Sequence, residues 1–294
     1  MMSRTTRNYL IRRYLLGPLT AVATWIMALA GRIFPALPRA PERPIFIVGC
    51  SRSGTTLFAE IFGAHSDLCH VMDASQVWDL RYYDPEADDF RDESHATDWE
   101  IARVRSSFAL RMLMSGKPRL ANKNNQNSVR LRYLKKIFPD AYVIHVVRDA
   151  RPVVLSNLSR LIKDSYRQNF PFGRFPKPVS WRDYMDKPVI EQFAHQWQDI
   201  TGYVRAQGTE LFGPQRYAEV RFEDFCADPS TVLNRLDRFC SLPPHSRSPD
   251  VMDMIGNGES DAWTRRIVPD DLEKIVAITG PQLERFGYAT ESLQ

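Results

Sequence analysis

One junction constrains the fold of this chain more than any other stretch: a continuous apolar run, Ile45-Phe46-Ile47-Val48, empties directly into Gly49-Cys50-Ser51-Arg52-Ser53-Gly54-Thr55-Thr56. Four apolar, mostly β-branched residues in succession suit a strand buried on both faces, the kind found in parallel sheets covered by helices. Leu57, Ile61 and Phe62 then recur at helical spacing, which predicts a helix opening at the end of the glycine loop. A strand, a glycine loop and a helix start aim unpaired backbone N–H groups and the helix dipole at one point, forming a cradle for a phosphate. Gly49 and Gly54 keep the G-x-x-x-x-G spacing of a Walker loop, but Thr55 stands where its lysine would be. Nucleoside triphosphatases use that lysine on the β- and γ-phosphates, so its absence argues against ATP or GTP hydrolysis. Arg52, inside the loop, supplies positive charge from another position.

The 294 residues suffice for one large α/β domain, and 44% hydrophobic with 25% charged residues is an ordinary globular profile. With 39 Lys and Arg against 35 Asp and Glu, the net charge of +4 is too small to argue for nucleic acid, and none is expected as a partner. Cys50, Cys69, Cys226 and Cys240 show no C-x-x-C spacing, so neither a zinc nor a redox site is expected, while a Cys226–Cys240 disulfide stays open. Residues 14–31 are uncharged, follow Arg4, Arg7, Arg12 and Arg13, and are interrupted by Gly17-Pro18. An apolar stretch of that length is borderline for spanning a bilayer. It reads as an N-terminal hydrophobic helix that spans, lies on the membrane through residues 9–34, or docks on its own domain. Four prolines between Pro35 and Pro44 form a stiff connector. The expected organisation is therefore residues 1–42 as membrane-associating helix and connector, and 43–294 as catalytic domain. From Ile45 onward, short apolar runs alternate with longer helical stretches, which points to an α/β fold with a central parallel sheet flanked by helices, of P-loop nucleotide-binding type.

A second strand, Ala141 to Val147, carries Arg148-Asp149 at its carboxyl end, where open parallel sheets bind ligands. Asp149 can cap a following helix from Ala150 to about Lys163, and Pro152 fits its first turn. Ser156 and Arg160 then share one face, so Arg148, Ser156 and Arg160 offer two guanidinium groups and a hydroxyl to a second phosphate. Two anion sites at neighbouring strand ends suit a nucleotide phosphorylated at both its 5′ and 3′ positions.

These residues resemble the sulfotransferases that use PAPS, 3′-phosphoadenosine 5′-phosphosulfate, as donor. The family's 5′-phosphosulfate loop looks like P-R-S-G-T-T, matched by Ser51 to Thr56, with Ser51 in place of the proline. Its 3′-phosphate motif looks like R-D-P-R…S, matched by Arg148, Asp149, Arg151 and Ser156, with Ala150 in place of the proline. Similarity continues through Arg221-Phe222-Glu223-Asp224-Phe225, Trp263-Thr264-Arg265-Arg266 and Phe286-Gly287-Tyr288. Spacing is closest to the tyrosylprotein and carbohydrate sulfotransferases. Phe222 replaces a tyrosine that often lies near the adenine.

The resemblance implies PAPS as co-substrate without a metal, bound by Arg52, Ser53, Gly54, Thr55, Thr56, Arg148, Ser156, Arg160 and Arg266. It implies Asp73 as general base, with Lys123 and Arg52 stabilising charge on the transferring group and Arg266 closing over the 5′-phosphate. His70, in the approach to Asp73, is the rival base, whereas His145, within a strand, reads as an interior residue. The acceptor is a hydroxyl of a carbohydrate, glycolipid or protein tyrosine. A homodimer is left open. Localisation is membrane-associated, on the cytoplasmic face in a bacterium or of Golgi-lumen type in a eukaryote. The alternatives are an ATP-dependent P-loop kinase and a non-catalytic, membrane-attached nucleotide-binding protein.

Overall fold

Five parallel strands, β1 (Ile45–Val48), β2 (Leu68–Met72), β3 (Arg119–Lys123), β4 (Tyr142–Val147) and β5 (Tyr217–Arg221), form one sheet in the order β2-β3-β1-β4-β5. The computed structural model describes residues 40–79, 87–163, 175–255, 264 and 267–290, so the N-terminal apolar run and most of the Trp263–Arg266 motif lie outside the described residues. Among the described residues no helix is long and apolar enough to cross a membrane.

Strand β1 is central because both of its faces can be buried. Its four residues are all fully buried, with Phe46 and Val48 in one core and Ile45 and Ile47 in the other. Full burial of such side chains is worth roughly 1.5–3 kcal/mol each, which fixes the strand that carries the glycine loop. On the Phe46 side the sheet is covered by α3 (Asp98–Ser115), α4 (Leu131–Ile137), α5 (Ala150–Lys163), α6 (Val189–Phe212) and α10 (Pro269–Arg285). On the Ile45 side it is covered by α1 (Thr55–Gly63) and α8 (Pro229–Phe239), through Phe58, Phe62, Leu233 and Leu236. The short helices α2 (Ser75–Trp78), α7 (Phe222–Ala227) and α9 (Pro249–Met252) complete the set.

The pairings Ile45↔Tyr142 and Ile45↔Ala121 put β3 and β4 on either side of β1. The chain leaves β1 for β2, returns through β3, and crosses to β4, so connections diverge at the carboxyl end of β1. That divergence opens the crevice in which doubly wound sheets hold ligands. The second expected strand begins at Tyr142, because the Ala141 N–H closes a turn onto the Phe138 carbonyl. Helix α5 spans the expected Ala150–Lys163, and the Asp149 carboxylate accepts the Arg151 N–H at 2.8 Å, as a cap should.

His145 is an interior residue. It is fully buried, its Nδ1 lies 2.9 Å from the Tyr217 hydroxyl, and that hydroxyl donates to Glu219 at 2.8 Å. Burial lowers its pKa from 6.5 to about 3, so the folded protein holds the imidazole neutral. Between those values the unfolded chain binds a proton that the fold does not, and stability must fall as pH falls through that window. Guanidinium unfolding from about pH 6.5 down to about pH 4.5 should show His145→Gln losing less stability than wild type, by at most about 1.4 kcal/mol per pH unit. Parallel pH profiles for the two proteins would contradict this.

Candidate active site

The loop after β1 has the backbone its sequence demands. Arg52 and Gly54 take φ of 72° and 79°, left-handed values that turn successive N–H groups to one side. A Cβ on Gly54 would lie 2.1 Å from the Phe222 ring, and one on Gly49 would lie 2.3 Å from the Val146 carbonyl oxygen, so neither position accepts a side chain. Helix α1 starts at Thr55 with no side-chain cap on its first turn. The Ser53 hydroxyl is buried within the loop and has no hydrogen-bond partner. An orphaned hydroxyl beside uncapped helix N–H groups is what a bound phosphate oxygen would satisfy.

Neighbouring elements hold the loop in place. Ser128, just past β3, accepts the Gly49 N–H at 2.9 Å and donates to the Gly49 carbonyl at 3.1 Å. Asn125 donates to the Ser51 hydroxyl at 3.2 Å and accepts from Thr55 at 3.1 Å, which closes the loop on itself. Neither residue was singled out from the sequence, although Asn125 lies in the Ala121-Asn122-Lys123-Asn124-Asn125 stretch. Cys50 lies in the same loop, but burial pushes its thiol up to about 12, so it stays protonated at neutral pH. All four cysteines are free.

Arg52 and Ser156 come together: the Arg52 Nε donates to the Ser156 hydroxyl at 2.9 Å, tying the glycine loop to helix α5. Arg148, at the end of β4, lies 5.0 Å over the ring of Phe222, the ring that packs on Gly54. The two anion-binding clusters expected from the sequence are therefore adjacent parts of one site. Arg151 does not point its charge into that site; it is buried and forks onto Asp149, with its Nη2 2.6 Å from Oδ2. Arg160 is exposed one turn beyond Ser156, Thr56 is exposed at the start of α1, and Arg266 lies outside the described residues. Glu223 adds a clamp that was not anticipated, accepting the Asp149 N–H at 3.2 Å and the Tyr288 hydroxyl at 2.7 Å.

On the other side of β1, Lys123 ends β3 almost fully buried, and its Nζ donates to Asp73 Oδ1 at 3.0 Å. Asp73 is 63% exposed and takes φ of 51°, followed by Ala74 at 53°. Two consecutive left-handed non-glycine residues cost on the order of 1–3 kcal/mol each and concentrate at functional positions. Asp73 does not cap α2, since the capping position is Ala74 and no side chain bonds there. His70 lies on β2, three residues before Asp73. Its ring packs on Gly63, the end of α1 opposite the loop, and burial followed by the charge of Lys123 lowers its pKa. Among the described residues no group of three or more His, Cys, Asp or Glu could hold a metal ion.

Sheet order, glycine loop and strand-end cations together define an α/β protein of the P-loop nucleotide-binding class. The profile of the Sulfotransferase family matches residues 44–246, and the chain belongs to that family of sulfuryl-transferring enzymes. Protein-tyrosine sulfotransferase 1 of Danio rerio is 27% identical over 278 residues, covering 83% of this chain and 72% of that protein. The omega-hydroxy-beta-dihydromenaquinone-9 sulfotransferase Stf3 of Mycobacterium bovis is 32% identical over 120 residues, 41% of this chain and 28% of that protein's length. The crystal structure of a sulfotransferase from Alicyclobacillus acidocaldarius superposes with a TM-score of 0.53 at 16% identity, over 84% of this chain and 94% of that one, a likeness of fold.

Gly54→Ala should test the loop. The added methyl combines a left-handed backbone with a clash against Phe222, so urea unfolding should show a loss of about 1–3 kcal/mol. A loss below about 0.5 kcal/mol, the range of neutral surface changes, would mean that the loop is free to relax.

Proposed function

We propose that this chain transfers the sulfuryl group of PAPS to a hydroxyl acceptor, with the glycine loop on the 5′-phosphosulfate and the β4–α5 junction on the 3′-phosphate. The observation that carries the reading is the 2.9 Å hydrogen bond from Arg52 to Ser156, which makes the two anion clusters neighbours. Adenosine carries its 5′ and 3′ substituents on one ribose, so a donor charged at both ends needs two anion sites within one nucleotide's reach. Ser53, Gly54, Thr55 and Thr56 would cradle the 5′ end, and Arg148, Ser156 and Arg160 the 3′ end. The unsatisfied Ser53 hydroxyl supports this fit.

In the reaction, a bond forms between the acceptor oxygen and sulfur while the bond from sulfur to the 5′-phosphate oxygen breaks. Asp73 takes the acceptor's proton, and Lys123 and Arg52 face the charge that grows on the departing phosphate. Protein groups here supply position and fixed charge, as in loose, in-line phosphoryl transfer. The acceptor class is a tyrosine, a sugar or a lipid hydroxyl; relatives named for protein-tyrosine and for dihydromenaquinone sulfation support the first and last. Residues 43–294 form the catalytic domain, and residues 1–42 attach it to a membrane through the arginine-flanked apolar run.

Incubation with sulfur-labelled PAPS and an acceptor library should give labelled product, read by mass as a gain of one SO₃. Asp73→Asn should lower kcat by about 10²–10⁴-fold, the usual contribution of a positioned acid or base. Arg148→Ala should raise the PAPS requirement about tenfold or more, since a hydrogen bond to a charged group is worth about 1.5–3 kcal/mol. Adenosine 3′,5′-bisphosphate should raise the melting temperature by mass action. Unimpaired turnover in both variants, or tighter protection by ATP than by the bisphosphate, would refute the reading.

A further inference from the structure

Parallel strands give the sheet two unlike ends, and the end opposite the candidate active site carries a charge pattern that catalysis does not use. Each of β1, β3, β4 and β5 is entered past a cation: Arg43 before β1, Lys117 and Arg119 at β3, Lys135 and Lys136 before β4, and Arg216 before β5. Their donors go to neutral oxygens. Arg43 donates to the hydroxyls of Tyr142 at 2.6 Å and Ser241 at 2.7 Å, Lys117 to the Ser66 carbonyl, and Arg119 to the Arg43 carbonyl. Lys135 and Arg216 both donate to the Pro139 carbonyl, at 2.8 and 3.0 Å. Among the described residues none of the six forms a salt bridge, whereas interior arginines such as Arg103 and Arg247 each have a carboxylate partner.

Like charge adds to burial at two of these groups. Burial, assisted by neighbouring Arg43, lowers the Arg119 pKa, and burial, assisted by Arg216, lowers that of Lys135. Of the carboxylates near this edge, Glu210 and Asp237 are paired with Arg132 and Arg247, which leaves Glu42, Asp67 and Asp140; Asp140 accepts the Arg43 backbone N–H at 2.6 Å and Asp67 accepts the Ser66 hydroxyl at 3.0 Å. Six cations against three carboxylates leave the edge net positive. An anionic surface is the partner that relieves such a field.

Two further observations select a lipid surface. The last turn of α3, immediately before Lys117, exposes Leu113 and Met114 at 58% and 78%, a pair of large apolar side chains beside the cations. The chain that precedes β1 also enters the fold here, at Ala40 to Arg43, and its sequence upstream is the uncharged run of residues 14–31. We infer that the amino-terminal edge of the sheet is a docking surface for an anionic bilayer, with the six cations on lipid phosphates and Leu113 and Met114 inserted between headgroups. The carboxyl ends of the strands, and the candidate active site, then face away from the bilayer, separated from it by strands of four to six residues that rise about 3.3 Å per residue. This orientation holds whatever reaction the site performs.

The test is co-sedimentation of the full chain with phosphatidylcholine vesicles that contain phosphatidylglycerol, against pure phosphatidylcholine vesicles. Wild type should prefer the anionic vesicles and release them as salt rises. The double variant Lys117→Glu/Lys136→Glu should lose about tenfold or more of that binding, since each cation near an anionic surface is worth about 1 kcal/mol. Leu113→Ser/Met114→Ser, at exposed positions, should also weaken it. Both variants should keep the wild-type melting curve by circular dichroism, which separates lost docking from lost folding. Wild-type binding in both variants would overturn the proposal. So would displacement of the chain by a single-stranded oligonucleotide with no preference for anionic over neutral vesicles, the result expected of a nucleic-acid surface.

Discussion

The left-handed turn of the glycine loop is the constraint on which the site depends. Only backbone turned at Arg52 and Gly54 can send consecutive N–H groups toward one anion, and a non-glycine residue resists that conformation. The strain is tolerated because the loop is held from three directions. Ser128 grips the Gly49 peptide from both sides, Asn125 bridges Ser51 and Thr55, and Phe222 fills the space a side chain at Gly54 would need. Behind these contacts stands β1, buried on both faces, which gives the loop a rigid anchor that a surface turn would lack.

Charge is distributed with the same logic. Inside the fold, arginines are matched: Arg103 with Glu100, Arg151 with Asp149, and Arg247 with Asp237. Buried ions of this kind need partners, and each pair locks two elements or one turn without leaving net field. At the two ends of the sheet other contacts are seen. Arg148 lies over an aromatic ring and Arg52 donates to a hydroxyl at one end, while Arg43, Lys135 and Arg216 donate to neutral oxygens at the other.

How much of this was legible in the sequence depended on burial. Strand β1 and helix α5 have the boundaries expected from the residues, and β4 differs by one, because apolar runs hidden on both faces and a capped helix start are local signals. The pairing of the two anion clusters could be anticipated from strand ends but not located, since Arg52 and Ser156 are separated by more than a hundred positions and meet only after β4 docks beside β1. Asn125, Ser128 and Glu223 carry no periodicity at all. Their roles exist only once β3, the loop and β5 have been brought together: the polar residues after β3 look like any solvated side chain, and Glu223, although inside the Arg221–Phe225 similarity, gives no sign there of which groups it clamps. His70 illustrates a different limit: nothing in the sequence shows that its ring lies against Gly63 at the end of α1, where burial and the charge of Lys123 lower its pKa.

The Asp73–Lys123 pair ties these threads to the chemistry proposed. Lys123 is 7% exposed and Asp73 63%, so the pair is asymmetric: the ammonium needs a counter-ion, while the carboxylate could be satisfied by water. On the proposed reading, a donor held near Lys123 would give the ammonium a second partner and leave Oδ1 open toward an incoming hydroxyl. The left-handed backbone at Asp73 and Ala74 turns the chain away from a regular strand end, and on the same reading that strain holds a short, exposed carboxylate beside Lys123.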